Sequence, residues 1–258
     1  ACGTAAAIAA SFNTPLAGVV FAMEVIMMEY TIAGFTPVIL SAVSATALSR
    51  LAYGDSPAFT VPQLGLARLS ELPWLVLMGI FIGALAAIFG EALLAVLRRT
   101  QPLAIWLRML AGGAVVGLFG AAVPEIMGIG YDTVTDAFLG EIGLSTLLVI
   151  AAMKLVASAV SAGTGHPAGL IGPSLVIGAT AGAAFGLAVA ALSAGSSSPG
   201  LYAMLGMGAM MGAVLQAPLS ALLALLELTA NPNIIMPGML AIVSANLAAR
   251  ELFGAESI

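Results

Sequence analysis

A proline–leucine step occurs twice in this sequence, in the same setting each time. Asn13-Thr14-Pro15-Leu16-Ala17-Gly18 leads to Glu24, and Gln216-Ala217-Pro218-Leu219-Ser220-Ala221 leads to Glu227. One offset of 203 residues relates both the prolines and the glutamates. Each copy is a small-residue helix, an amide side chain, Pro-Leu, and an apolar helix with one acid. In a membrane chain, such symmetry predicts a transporter or channel whose site lies between two related halves. Most counterparts of residues 73–203 are then expected to precede Ala1, making this chain the C-terminal portion of a longer pore. On that reading residues 1–53 end a first half-repeat, 54–72 connect, and 73–258 form the second half-repeat.

The solvent follows from composition. Hydrophobic residues make up 61% of the chain and charged residues 7%, with a mean hydropathy of +1.14. A soluble domain carries roughly 25% charged residues, so this surface is predicted to face lipid. The 30 glycines suit helices that approach through small faces, where van der Waals packing replaces the hydrophobic drive. A net charge of −5 leaves no nucleic-acid footprint. Cys2 is the one cysteine and His166 the one histidine, which excludes a disulfide framework and a Cys/His metal cluster.

Hydrophobic runs predict helices over 1–12, 15–29, 36–53, 74–98, 109–123, 143–161, 170–192, 201–215, 218–229 and 235–251. Several are too short to cross a bilayer core, which needs about 20 residues; short helices ending inside the membrane build ion sites. Arg98, Arg99 and Arg108 cluster in a predicted connection and mark the cytoplasmic side by the positive-inside rule. Glu125, Asp132, Asp136 and Glu141, free of intervening Lys or Arg, mark the opposite side. Ser193–Gly200 is expected to be a flexible loop.

The helical pattern breaks at Gly163-Thr164-Gly165-His166-Pro167-Ala168-Gly169-Leu170-Ile171-Gly172-Pro173. Non-helical backbone survives in a bilayer only where it is buried in protein or lines a wet cavity. A helix beginning near Gly169 leaves its first N–H groups without intrahelical partners. With the positive end of the helix dipole, these donors make an anion site of no formal charge. Partial charges let an anion both enter and leave, as conduction requires. The residues alone equally allow a kink or a close helix contact.

The break resembles the third signature of the CLC chloride channel and proton/chloride antiporter family, approximately Gly-Ser-Gly-x-Pro-Gly-Gly-x-Phe-x-Pro. Thr164 stands at the serine, Ala168 at the first glycine of the pair, and Ile171 at the phenylalanine. The two Pro-Leu motifs resemble the paired helices of the CLC half-repeats, in matching order and spacing. The resemblance implies an all-α, inverted-repeat integral membrane fold with broken and short helices, here partial. It implies a multi-pass protein of a bacterial inner membrane, not an enzyme, with chloride as the transported ligand and no cofactor. Chloride is expected at the amides of Gly169, Leu170 and Ile171, with Gly163, Thr164, Gly165, His166 and Pro167 as the filter segment. It further implies a homodimer joined through helices 15–29, 36–53, 218–229 and 235–251. The family's serine, gating glutamate and pore tyrosine are expected outside residues 1–258.

Glu24 stands at the first place of the Glu-Glu pair of proton-coupled members, and Val25 at the second, the internal proton-transfer glutamate. Valine takes up no proton, so Glu24 and Val25 favour channel-like flow or weak proton coupling. The alternative is a proton-coupled antiporter of chloride or of another anion such as fluoride or nitrate. Glu227 is expected to make a structural hydrogen bond. Lys154 either raises the local potential or serves structure; His166 either lines the vestibule or senses pH. Met207, Met210 and Met211 are expected to fill packing gaps. An intramembrane enzyme would need a nucleophile–base or metal constellation that the sequence does not supply. A non-conducting scaffold would leave the broken helix without purpose.

Overall fold

The computed structural model describes residues 1–54, 59, 64–167, 169–193 and 195–254. Residues 55–58 and 60–63 of the connecting loop, Ala168, Ala194 and the C-terminal 255–258 therefore lie outside the described residues. Eleven α-helices occur among the described residues. Six helical segments are long and apolar enough to cross a membrane. Shorter apolar helices lie between and beside them, so the fold is all-helical with broken elements.

The chain opens with α1 (Cys2–Phe12), α2 (Pro15–Phe21) and α3 (Ile32–Tyr53). The predicted helix 15–29 is instead α2 followed by a π-turn over Ala22–Met27, stopped by Met28 in the left-handed region at φ 53°. The predicted start of the third helix at Thr36-Pro37 is also corrected. Thr31 caps α3 by accepting the Gly34 N–H at 3.2 Å, and Pro37 lies within the helix.

After the connection comes α4 (Leu72–Thr100), whose last turn holds Arg98 and Arg99 where the helix dipole favours cations. Arg108, predicted in a connection, lies inside α5 (Ile105–Ala122). The acidic stretch contains a helix that hydropathy did not reveal, α6 (Tyr131–Leu139). Nine residues form no long apolar run, yet Val134, Ala137 and Phe138 share a buried face. Gly130 at φ 80° and Gly140 at φ 75° bound it, conformations in which a side chain would be strained.

At the centre, α8 (Ile171–Leu192) and α9 (Pro199–Leu215) pack after α7 (Leu144–Gly163). Nearly all of α9 is buried, including Met207, Met210 and Met211, as expected of gap-filling methionines. The pair approaches through glycines. A Cβ on Gly178 would collide with the Gly206 carbonyl, and one on Gly186 would lie 2.9 Å from Pro199 Cα. Such backbone proximity is how helices associate where lipid offers no hydrophobic drive.

The turn before α9 is not the free loop that its serines and glycines suggest. Ser197 is buried, and its N–H and hydroxyl both donate to Glu71, at 3.0–3.1 Å. The Tyr202 hydroxyl donates to the same carboxylate at 3.0 Å. Glu71 is only 4% exposed, and these donors repay its desolvation. The chain then completes α10 (Pro218–Thr229), α11 (Ile235–Leu247) and a second π-turn, Ala248–Leu252.

The two repeat copies share backbone geometry. Asn13 and Gln216 both adopt the left-handed region, at φ 54° ψ 37° and φ 54° ψ 33°. Thr14 and Ala217 follow at φ −123° ψ 73° and φ −126° ψ 71°. Each turn then places proline at the first helical position, where its missing N–H costs nothing.

Candidate functional site: a helix N-terminus beside a buried lysine

The filter segment begins as a helix stop. Gly165 at φ 91° donates to the Ala162 carbonyl at 3.0 Å, and the His166 N–H donates to Ser161 at 3.2 Å. This pair of bonds is a Schellman motif, for which glycine at the left-handed position is the usual solution. The Thr164 hydroxyl donates to Val160 at 2.7 Å and lies 3.1 Å from His166 Nδ1. Gly163 sits against α4, where an added Cβ would lie 2.8 Å from the Val96 side chain. Gly163, Thr164, Gly165, His166 and Pro167 thus terminate α7 tightly.

The chain then turns into α8, with Leu170 as its N-cap and no side-chain cap. The first acceptor use is by the Ser174 N–H, which donates to the Leu170 carbonyl at 3.1 Å. Pro173 has no N–H. The amides of Leu170, Ile171 and Gly172 are accordingly donors without intrahelical acceptors, at the positive end of a 22-residue helix.

Sequence analysis left Lys154 between two roles. Lys154 is 4% exposed, and its ammonium donates to the carbonyls of Ile126 at 2.6 Å and Gly128 at 2.8 Å. No carboxylate of the described residues pairs with it; two main-chain carbonyls accept its hydrogen bonds. A cavity of about 250 Å³ joins it to the break, lined by Lys154, Ser158 and Ser161 of α7 and by Gly169 and Pro173. One open pocket, lined more by apolar than by polar groups, touches both the buried lysine and the start of α8.

The Ile171 side chain faces elsewhere. It lines a small apolar cavity of about 10 Å³ with Phe12, Thr14 and Phe21 of the first copy and Met211, Ser220 and Leu228 of the second. Residues of the two Pro-Leu copies meet there.

Glu24 and Glu227 are brought together by a reciprocity no sequence signal revealed. Glu227 accepts from the N–H groups of Leu16 and Ala17 at 3.0 and 2.8 Å. Glu24 accepts from those of Leu219 and Ser220 at 3.2 and 2.9 Å. Each glutamate caps the Pro-Leu helix of the other copy. Val25 follows Glu24 in the π-turn and is half-buried.

The comparisons with known proteins agree with this geometry. Residues 1–250 match the family model described as "Voltage gated chloride channel". The chain belongs to the CLC family. It is similar to a putative chloride channel protein ClcB-like of Ralstonia nicotianae, 34% identical over 265 residues, covering all of this chain and 61% of that protein. It is also similar to an H(+)/Cl(−) exchange transporter ClcA of Salmonella newport, 31% identical, covering 98% of this chain and 56% of that protein. The structure of a slow cyanobacterial Cl−/H+ antiporter superposes with TM-score 0.82 at 25% identity, over 97% of this chain and 60% of that one. A CLC-type fluoride/proton antiporter shares the fold, with TM-score 0.81 at 20% identity over 96% of this chain and 62% of that one. The chain therefore spans about 60% of the length of these relatives. Six apolar helices and bacterial CLC relatives fit an integral inner-membrane protein.

Proposed function

We propose that the protein to which this chain belongs moves chloride across a membrane through a CLC-type pore, channel-like or weakly proton-coupled. The observation that carries this reading is the α8 N-terminus, whose free amides adjoin a cavity lined by the carbonyl-bonded Lys154. The amides of Gly169, Leu170 and Ile171 hold the ion, and the filter segment Gly163–Pro167 fixes where α8 begins. Chloride is the transported ligand, and no other cofactor enters the reading. Residues 1–53 end one half-repeat and 73–258 form the next; the matched relatives are longer than this chain. Subunits pair through the helices of 15–29, 36–53, 218–229 and 235–251, whose exposed apolar residues include Leu16, Leu40, Leu219 and Val243.

A second reading is proton-coupled antiport of chloride or of another anion such as fluoride or nitrate. The printed names of relatives include exchange transporters and a fluoride/proton antiporter. Val25 weighs against strict coupling, because its side chain carries no proton, and Glu24 is engaged as a helix cap. The full-length protein in liposomes distinguishes the readings. Chloride efflux without stoichiometric proton counter-movement supports the first; proton uptake in fixed ratio supports the second. No anion flux at any pH refutes both.

A further inference from the structure

The segment leading into α4 is fastened to the start of α9 by a buried carboxylate that the proposed transport reaction does not use. Residues 64–71 run without regular structure into the single helical turn Leu69–Glu71. Asn231, fully buried, donates its amide to the Leu64 carbonyl at 2.6 Å and holds one end of this strap. Further along, the Ala67 N–H donates to Ser197 Oγ at 2.8 Å. A Cβ on Gly195 would lie 3.0 Å from Arg68 Nη2, and one on Gly200 would lie 3.0 Å from Leu64 Cδ1. The strap thus lies directly across the turn that opens α9.

Glu71 closes it. Three donors converge on its two oxygens: the Ser197 N–H at 3.0 Å, the Ser197 hydroxyl at 3.1 Å and the Tyr202 hydroxyl at 3.0 Å. Ser197 gives its one hydroxyl proton to Glu71 and accepts from Ala67, so it relays the carboxylate to the strap. A carboxylate only accepts; the neutral acid carries a hydrogen of its own, and one of the three donors must then leave. Ser197 and Tyr202 are buried, so a released donor bears its full desolvation penalty. Few other charged or titratable groups surround this point. Arg68 lies on the strap, Tyr202 on α9, and Asp132 and Asp136 on α6, which packs on α9 at Gly200. Neither α8 nor α9 holds an Asp, Glu, Lys or Arg, and the next charge along α4 is Glu91.

We infer that Glu71 is an acid-labile clasp: proton uptake by its carboxylate frees residues 64–71 from α9, and transport falls. The regulatory effect rests on the proposed anion transport, whereas the clasp itself does not. Gly178, Gly182 and Gly186 seat α8 on α9, and α8 carries the donor amides at its other end. Loosening the first turn of α9 therefore disturbs the support of the whole α8–α9 pair. Glu71 caps the start of α4 and Arg98–Arg99 lie in its last turn, so the clasp senses pH on the face opposite those arginines.

Hydrogen exchange of the full-length protein in detergent reads the clasp directly, each rate being referred to unstructured peptide at the same pH. From pH 7 to pH 4, protection of the Ala67 and Ser197 amides should fall about tenfold in wild type. Glu71→Gln, whose side chain adds an N–H among the donors, should show the low protection already at pH 7. Tyr202→Phe keeps both Ser197 donors and should lose protection at a higher pH than wild type. Protection that holds at pH 4 in wild type, or no upward shift in Tyr202→Phe, overturns the clasp. In oriented liposomes, acidifying the face opposite the arginines should cut chloride flux about fivefold in wild type and leave Glu71→Gln low and unresponsive. A Glu71→Gln protein as pH-sensitive as wild type overturns the regulatory role. Zero wild-type flux with the exchange result intact refutes the transport reading and leaves the clasp standing.

Discussion

The Lys154 ammonium donates to two main-chain carbonyls, and the geometry gives it a direction. The ammonium lines the same cavity as Gly169 and Pro173, so its field and the α8 dipole act on one volume. Such an arrangement attracts an anion without placing a charged ligand in the first turn of α8, where it would slow release. Lys154→Met should therefore weaken chloride binding by about tenfold, whereas Lys154→Arg should largely retain it. Chloride titration calorimetry on the full-length protein in detergent measures this. Equal affinity in Lys154→Met would assign the lysine to structure alone.

The helices show how an apolar sequence encodes specific contacts. Two Pro-Leu helices expose free N–H groups at their first turns, and each is closed by a glutamate from the other copy. A carboxylate at a helix N-terminus gains from both the hydrogen bonds and the dipole. Glu24→Gln and Glu227→Gln should each destabilise the protein by about 1–2 kcal/mol, to a similar degree. Thermal unfolding in detergent checks this, and a neutral Glu24→Gln would contradict the capping role. The α8–α9 contact is less forgiving. A Cβ on Gly206 would meet the Gly178 carbonyl and lie 2.8 Å from Gly182 Cα, so Gly206→Val should cost about 3 kcal/mol or more. Gly117→Ala, with nothing within 4 Å, serves as the neutral control in the same unfolding assay.

Across the whole molecule, the two halves meet where α1 and α2 approach α8, α9 and α10, around the small cavity that Ile171 lines. The outward faces of α2 and α10 remain apolar and open, with Leu16 56% and Leu219 53% exposed. These two leucines are repeat mates, so the proposed twofold dimer would set each pair against its own copy. Leu219→Trp should shift the full-length protein from dimer to monomer while each subunit keeps its anion flux. Light scattering of the purified protein checks the mass, and a persistent dimer would place the interface elsewhere.

Much of this architecture was legible in the chain because it rests on local chemistry. The 203-residue repeat set the matching turns at Asn13 and Gln216, since Pro after a small-residue helix stops and restarts the backbone in one way. The glycines at 163 and 165 and the proline at 173 fixed a stop, a turn and a new N-terminus, so the break was readable as a donor-rich helix start. Hydropathy placed the long helices, but it could not find α6, whose nine residues are held by burial of one face rather than by an apolar run. Nor could it tie Glu71 to Ser197, set Arg108 against Gly165, or exchange Glu24 and Glu227 between copies. Those contacts join residues 57 to 211 positions apart, and no local propensity selects such a partner. Packing chose them: α8 and α9 closed on their glycines, carried distant turns together, and left each buried charge only the donors and acceptors that happened to surround it.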